Sequence, residues 1–107
     1  MADFTIKQGD TSPAIEATLK DNTGNVVNLT GASVRFHMAT LGFSSKIDAA
    51  ATIVNASEGK VKYEWQSADT VTADSFIVEW EITYSDSSVE TFPNDGYTRI
   101  KIERKVS

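Results

Sequence analysis

The 107 residues include no cysteine, so neither a disulfide framework nor a thiolate metal site is available, and nothing implies an oxidising compartment. Stability has to come from apolar burial. Long apolar runs are missing too: no stretch approaches the roughly 18 residues of a membrane-spanning helix. The opening MADFTIKQGD has no basic segment followed by an apolar one, so no signal peptide is read and synthesis in the cytoplasm is expected. Positive charge is scarce. With 10 Lys and Arg against 15 Asp and Glu, a net charge of -5 and a pI near 4.7, the balance argues against nucleic acid, whose phosphates need clustered basic side chains.

Chemistry-bearing patterns are equally thin. His37 is the only histidine; it alternates with apolar neighbours and reads as an exposed strand residue, not as a base or ligand. The serines fall in turns, without a G-x-S-x-G elbow or a base in sequence reach. Gly24, Gly31, Gly42, Gly59 and Gly96 are isolated turn glycines, not a phosphate loop. Glu79 and Glu81 share one strand face about 7 Å apart by strand rise, a spacing more typical of solubilising carboxylates than of a glycosidase pair, which also needs a cleft. Asp69, Asp74, Asp86 and Asp95 lie in loops but in no calcium-loop frame. The triplets Asn28-Leu29-Thr30 and Asn55-Ala56-Ser57 match the glycosylation pattern by chance in a chain read as cytoplasmic. No catalytic residue, cofactor or metal site is assigned, and the chain is not read as an enzyme.

What is present is alternation. In Phe76 to Tyr84 the residues Phe76, Val78, Trp80, Ile82 and Tyr84 interleave with Ile77, Glu79, Glu81 and Thr83, a period of two that marks a strand with one buried face. Val61, Tyr63 and Trp65 repeat the pattern just before it. Between Tyr63 and Thr98 there are eight acidic residues (Glu64, Asp69, Asp74, Glu79, Glu81, Asp86, Glu90 and Asp95) and no Lys or Arg; they read as a solvated face and loops, or as the complement of a basic partner or a cation.

Taken in order, Phe4 and Ile6 make a first strand ending at Gln8-Gly9-Asp10, and Ile15, Ala17 and Leu19 make a second. A turn at Asp21 to Asn25 predicts a hairpin to a short strand of Val26, Val27 and Leu29. Val34, Phe36 and Met38 form the next strand. Thr40 to Lys46 reads as a connecting loop that carries Leu41 and Phe43. The alanine-rich Ile47 to Val54 has some helical propensity, but the turn Asn55 to Gly59 favours a strand at Thr52 to Val54. Ser67-Ala68-Asp69 suits a single helical turn. Strands at Val89 to Phe92 and Tyr97 to Glu103 complete the chain, the last reading as an edge or final strand.

Short strands every eight to twelve residues, with turns between them, predict an all-β fold. The expectation is an immunoglobulin-like β-sandwich of about seven to nine mostly antiparallel strands in a single domain over residues 1–107, with Trp65 and Trp80 in its core.

The opening Phe4 to Ala14 (FTIKQGDTSPA), the segments Ala17 to Asp21 and Val27 to Phe36 (VNLTGASVRF), and the later Tyr63-Glu64-Trp65 and Thr91-Phe92-Pro93 together resemble the N-terminal domain of phage baseplate upper proteins. The likeness covers nearly the whole chain, and Leu29-Thr30-Gly31-Ala32 is its most specific part. It implies a β-sandwich that serves as a virion building block in the tail or baseplate, whose partners are other tail and baseplate proteins and further copies of the chain, with neither nucleic acid nor membrane as a partner. In full-length relatives a helical linker and a receptor-binding region follow; the chain ends at Ser107, so an accessory tail protein or an excised domain is an equal expectation. On this reading candidate contacts are Leu41 and Phe43 in a loop and Phe92 and Tyr97 in turns, each with the rival role of closing the end of the core. The alternative function is a carbohydrate-binding or host-adhesion module, which requires aromatics exposed on a concave face.

Overall fold

Phe76, Val78, Trp80 and Ile82 all point to the same side of a ten-residue strand, Asp74–Thr83, and each is at most 1% exposed. The computed structural model describes residues 2–106. Its strands in chain order are β1 (Phe4–Lys7), β2 (Ile15–Thr18), β3 (Ser33–Thr40), β4 (Ser45–Ala50), β5 (Thr52–Asn55), β6 (Lys60–Tyr63), β7 (Asp74–Thr83), β8 (Val89–Phe92) and β9 (Thr98–Glu103). They form two sheets, one in the order β1-β9-β7-β3-β4 with β8 also on β7, the other β2-β6-β5. The all-β sandwich that the strand spacing predicts is present, with nine strands.

β7 organises the larger sheet. One of its edges is paired with β3 from Phe76 to Thr83. The other is divided: β9 pairs with Asp74 to Val78 and β8 with Trp80 to Thr83, both antiparallel. β8 and β9 thus act as one strand interrupted by the excursion from Pro93 to Tyr97. β9 is final in the chain but internal in the sheet, because β1 adds to it in parallel, with Phe4 opposite Ile100 and Ile6 opposite Ile102.

The two sheets meet through aromatic rings. Phe36 on β3 stacks on Tyr63 of β6 with centroids 4.4 Å apart and planes within 4°. Trp80 and Trp65 meet the Phe36 ring edge-on at 4.9 and 5.7 Å. Such pairs contribute about 0.5–1.5 kcal/mol each beyond their buried area. Both indoles are core residues, 3% and 1% exposed for Trp65 and Trp80.

Three expectations are corrected. Val26 to Leu29 does not form a strand; only a single bridge joins Lys20 to Val26. Side chains take over the local bonding instead: Asp21 Oδ1 accepts from the backbone N–H of Thr23 and Asn25, and Asn28 Oδ1 accepts from the N–H and hydroxyl of Thr30, which competes with a ladder. Leu29 is buried all the same, at 0% exposure. Of the connecting loop read over Thr40 to Lys46 only Leu41 to Ser44 is loop, the tip of the β3–β4 hairpin, while Thr40 belongs to β3 and Ser45 and Lys46 to β4, and the alanine-rich stretch supplies β4 as well as β5. Ala49 lies opposite Phe36, so tertiary packing overrides helical propensity, and Ala51 carries the chain from one sheet to the other, its N–H bonded to Val34 O. The helical turn at Ser67 is present as a 3-10 turn, Ser67–Thr70.

Candidate functional site

The outer face of the larger sheet carries the residues that β7 turns away from the core: Ser75, Ile77, Glu79, Glu81 and Thr83. Ile77 breaks the polar pattern. It faces outward yet is only 9% exposed, because two loops bring aromatic rings over it.

One loop is the β3–β4 turn. Thr40 and Ser44 close it, with Thr40 N–H bonded to Ser44 O and Phe43 N–H to Thr40 O, both at 2.9 Å. A three-residue hairpin loop of this type places its third residue in the left-handed region, normally glycine. Here that residue is Phe43, with φ at 68°, while Gly42 stands one place early. Left-handed backbone costs a side-chain-bearing residue about 1–2 kcal/mol, and Phe43 is still 66% exposed. The other loop is the interruption between β8 and β9. Val78 pairs with Thr98 and Trp80 with Phe92, so Tyr97 emerges opposite Glu79. The Phe43 and Tyr97 rings meet edge to face, centroids 5.7 Å apart, and with Ile77, Ala39, His37 and Glu79 they line a hollow of about 130 Å³.

Of the four contact residues chosen from sequence, the structure brings Phe43 and Tyr97 together and leaves Leu41 58% exposed on the same hairpin tip, where it borders Arg99 and Ser75. Phe92 does not join them. It lies directly opposite Trp80, shares that residue's inward face, and is 2% exposed, so it belongs to the core and not to a contact surface. Ile77 and Arg99 were missed; the signal for Ile77 was its being the one apolar residue among the outward positions of β7.

Charge is laid out unevenly on this face. Arg99 and Lys101 project from β9, Glu79 and Glu81 from β7, and Asp48 from β4. Asp48 accepts from Arg35 Nε at 2.8 Å, and this hydrogen bond holds its carboxyl below the ordinary aspartate value, against the opposing effect of desolvation. His37 is half-buried, its Nε2 3.3 Å from Glu81 Oε1 and its Nδ1 3.5 Å from Asp48 Oδ1; the two carboxylates lie on opposite edges of the ring. Among the described residues the side chains of Glu79 and Arg99 form no ion pair.

The remaining acidic residues are largely occupied in structure. Asp69 accepts from the Tyr63 hydroxyl at 2.6 Å and the Gln66 N–H at 2.8 Å, and Glu90 accepts from the Tyr84 hydroxyl at 2.7 Å. Among the described residues no three His, Asp or Glu side chains converge in a metal-holding group. A hollow of about 560 Å³ along β1 and β9 is an open groove mixing Lys7, Lys101 and Arg104 with Asp74 and Glu103.

Fold and site together define a small β-sandwich domain whose ionisable groups serve mainly as structural partners and whose outer sheet face carries an exposed aromatic pair. The chain belongs to the BppU N-terminal domain family, whose model matches residues 2–92; this is the phage baseplate family that its sequence resembles. No curated protein sequence matches it. Among solved structures it is similar to the crystal structure of CopC from Methylosinus trichosporium OB3b, with a TM-score of 0.57 and 9% identity over 100% of this chain and 89% of that one. At that identity the likeness is one of fold alone.

Proposed function

We propose that the domain is a non-enzymatic building block of the phage tail or baseplate that works by docking on other virion proteins through the outer face of its larger sheet. The observation that carries this reading is Phe43. Its backbone conformation is unfavourable for any residue but glycine, and its ring is mostly exposed, so folding gains little from a phenylalanine there. Strain held at an exposed aromatic points to selection for contact. Leu41 and Tyr97 extend the same apolar surface. Repetition in a symmetric particle lets interfaces that are weak one at a time hold firmly together.

The family match supports the virion setting. No observation favours a carbohydrate-binding module, since both tryptophans are in the core. Cross-linking mass spectrometry on purified virions tests the reading. The chain is expected among tail or baseplate proteins, with cross-links from Lys46 and Lys101, which flank the outer face, in preference to Lys60 and Lys62 on the opposite sheet. A Phe43→Ser chain is expected to fold normally but to incorporate poorly. Absence of the chain from virions overturns the assignment.

A further inference from the structure

Four positions on the outer face form a checkerboard. On β7, Ile77 is followed two residues on by Glu79. On the neighbouring strand Arg99 lies opposite Ile77, and Tyr97, one residue beyond the Val78 and Thr98 pair, lies opposite Glu79. Apolar side chains thus occupy one diagonal and opposite charges the other. With strands about 4.8 Å apart and alternate residues about 6.8 Å apart, each diagonal spans about 8 Å. The Phe43 ring, packed on Tyr97, widens the apolar diagonal into a ridge.

This arrangement is self-complementary. A two-fold axis lying parallel to the face and running along the Ile77–Tyr97 diagonal sets the ridge of one copy against the ridge of the other. The same rotation exchanges the two charged corners, so Arg99 of each copy comes over Glu79 of the other, twice per pair. A two-fold along either strand direction or across it does neither: it sets Arg99 over an apolar position. Isologous contacts of this kind are the commonest symmetry of soluble oligomers. Glu79 and Arg99 form no ion pair within the chain, among the described residues, and each is therefore free to meet a partner's charge.

We infer that the occupant of this face is a second copy of the chain, docked face to face about that diagonal with reciprocal Arg99–Glu79 pairs. The inference deepens the docking reading and rests on it, since it names the partner of the same surface. Five strands by about six residues give roughly 500 Å² per copy from strand spacing, about 1,000 Å² in total, which is the lower bound for a specific interface. The contact is accordingly reversible, and the net charge of -5 on each copy weighs against a tighter one.

Sedimentation equilibrium of the isolated chain, followed from about 10 μM to 1 mM as mass action requires, tests it. The wild type is expected to move from monomer towards dimer across that range. Arg99→Glu and Glu79→Arg should each weaken dimerisation about tenfold or more, because each places like charges together twice. The doubly reversed chain, E79R with R99E, should regain dimerisation to within about threefold, as expected for charge complementarity between coupled sites. Net charge alone predicts otherwise: E79R makes the chain less negative and would strengthen association, so weakening by both single variants marks the specific pair. Circular dichroism checks that each variant is folded. A wild type that stays monomeric throughout overturns the proposal, as does a dimer indifferent to both reversals. If the chain is monomeric and Phe43→Ser still blocks incorporation into virions, the face docks on a different protein, and the docking reading survives the loss of this one.

Discussion

Phe43 and Tyr97 meet edge to face, ring centroids 5.7 Å apart at 62°, each delivered by a loop whose backbone departs from the regular ladder. The Phe43 loop holds a phenylalanine at φ 68°, and the Tyr97 loop interrupts what is otherwise one continuous partner strand for β7. Replacing Phe43 by glycine removes left-handed strain of about 1–2 kcal/mol and forfeits an aromatic pair of about 0.5–1.5 kcal/mol. The two nearly cancel, so the Phe43→Gly chain should unfold within about 1 kcal/mol of the wild type while losing self-association in sedimentation. A destabilisation above roughly 3 kcal/mol, the scale of a lost core side chain, would place Phe43 in the core instead.

Trp80 lies at the junction of the two sheets, 1% exposed, against the Phe36 ring at 4.9 Å. Trp80→Ala should cost about 3–5 kcal/mol, much of the 5–15 kcal/mol typical of a small domain. Trp80→Phe should cost less than half of that. The Trp80 Nε1–H is buried without a hydrogen-bond partner, so the phenyl ring keeps much of the packing and removes a donor whose desolvation opposes folding by about 1–3 kcal/mol. Urea midpoints of the two variants check the order; equal losses would show that the indole donor is satisfied in solution.

β7 was legible in the sequence because its alternation is long and its inward residues are large. What alternation leaves open is register. Phe92 stood beside a turn and read as a contact residue, yet its pairing with Trp80 turns it inward, since residues directly opposite on neighbouring strands share a face. The β7–β8 hairpin is local, but the parallel pairing of β1 with β9 and the return of β9 to the part of the β7 edge that β8 leaves free join segments far apart in the chain and leave no local mark. Leu41, Phe43 and Tyr97 could be chosen as loop residues; the convergence of Phe43 and Tyr97 over Ile77, and the charged diagonal beside them, depend on that same long-range register.

Gly59 follows the short 3-10 turn Ala56–Glu58 with φ at 67°. A Cβ there would stand 2.8 Å from both Leu19 O and Val27 O, two backbone atoms with no rotamer to yield. Gly59→Ala should therefore destabilise by more than the 1–2 kcal/mol of left-handed strain alone, with loss of the Leu19 N–H to Gly59 O bond, 2.8 Å long, as the loop shifts. Gly24, at φ 88° with nothing within 4 Å of its added Cβ, provides the control, and Gly24→Ala should cost only about that strain. Thermal midpoints separate the two; equal shifts would mean that the β2–β6 region absorbs the clash.

Tyr84 donates its hydroxyl to Glu90 Oε1 at 2.7 Å. Burial first, and then the hydrogen bond to the Glu90 carboxylate, push its phenol up to about 12 from the ordinary tyrosine value of 10.0. The folded state thus favours the neutral phenol. Below about pH 10, where an unfolded tyrosine is also neutral, this stabilisation is fully present. As pH rises from there through about 12 it is lost, because the unfolded chain releases its proton before the folded one does. Tyr63 is raised in the same direction by burial and by Asp69, so its contribution disappears at higher pH. Unfolding midpoints of wild type and Tyr84→Phe, measured between about pH 8 and 12, should run parallel up to pH 10 and converge above it, the wild type falling more steeply. Lysine deprotonation is common to both chains and cancels in the comparison. Curves that stay parallel throughout would show that the Tyr84–Glu90 bond does not hold the phenol neutral.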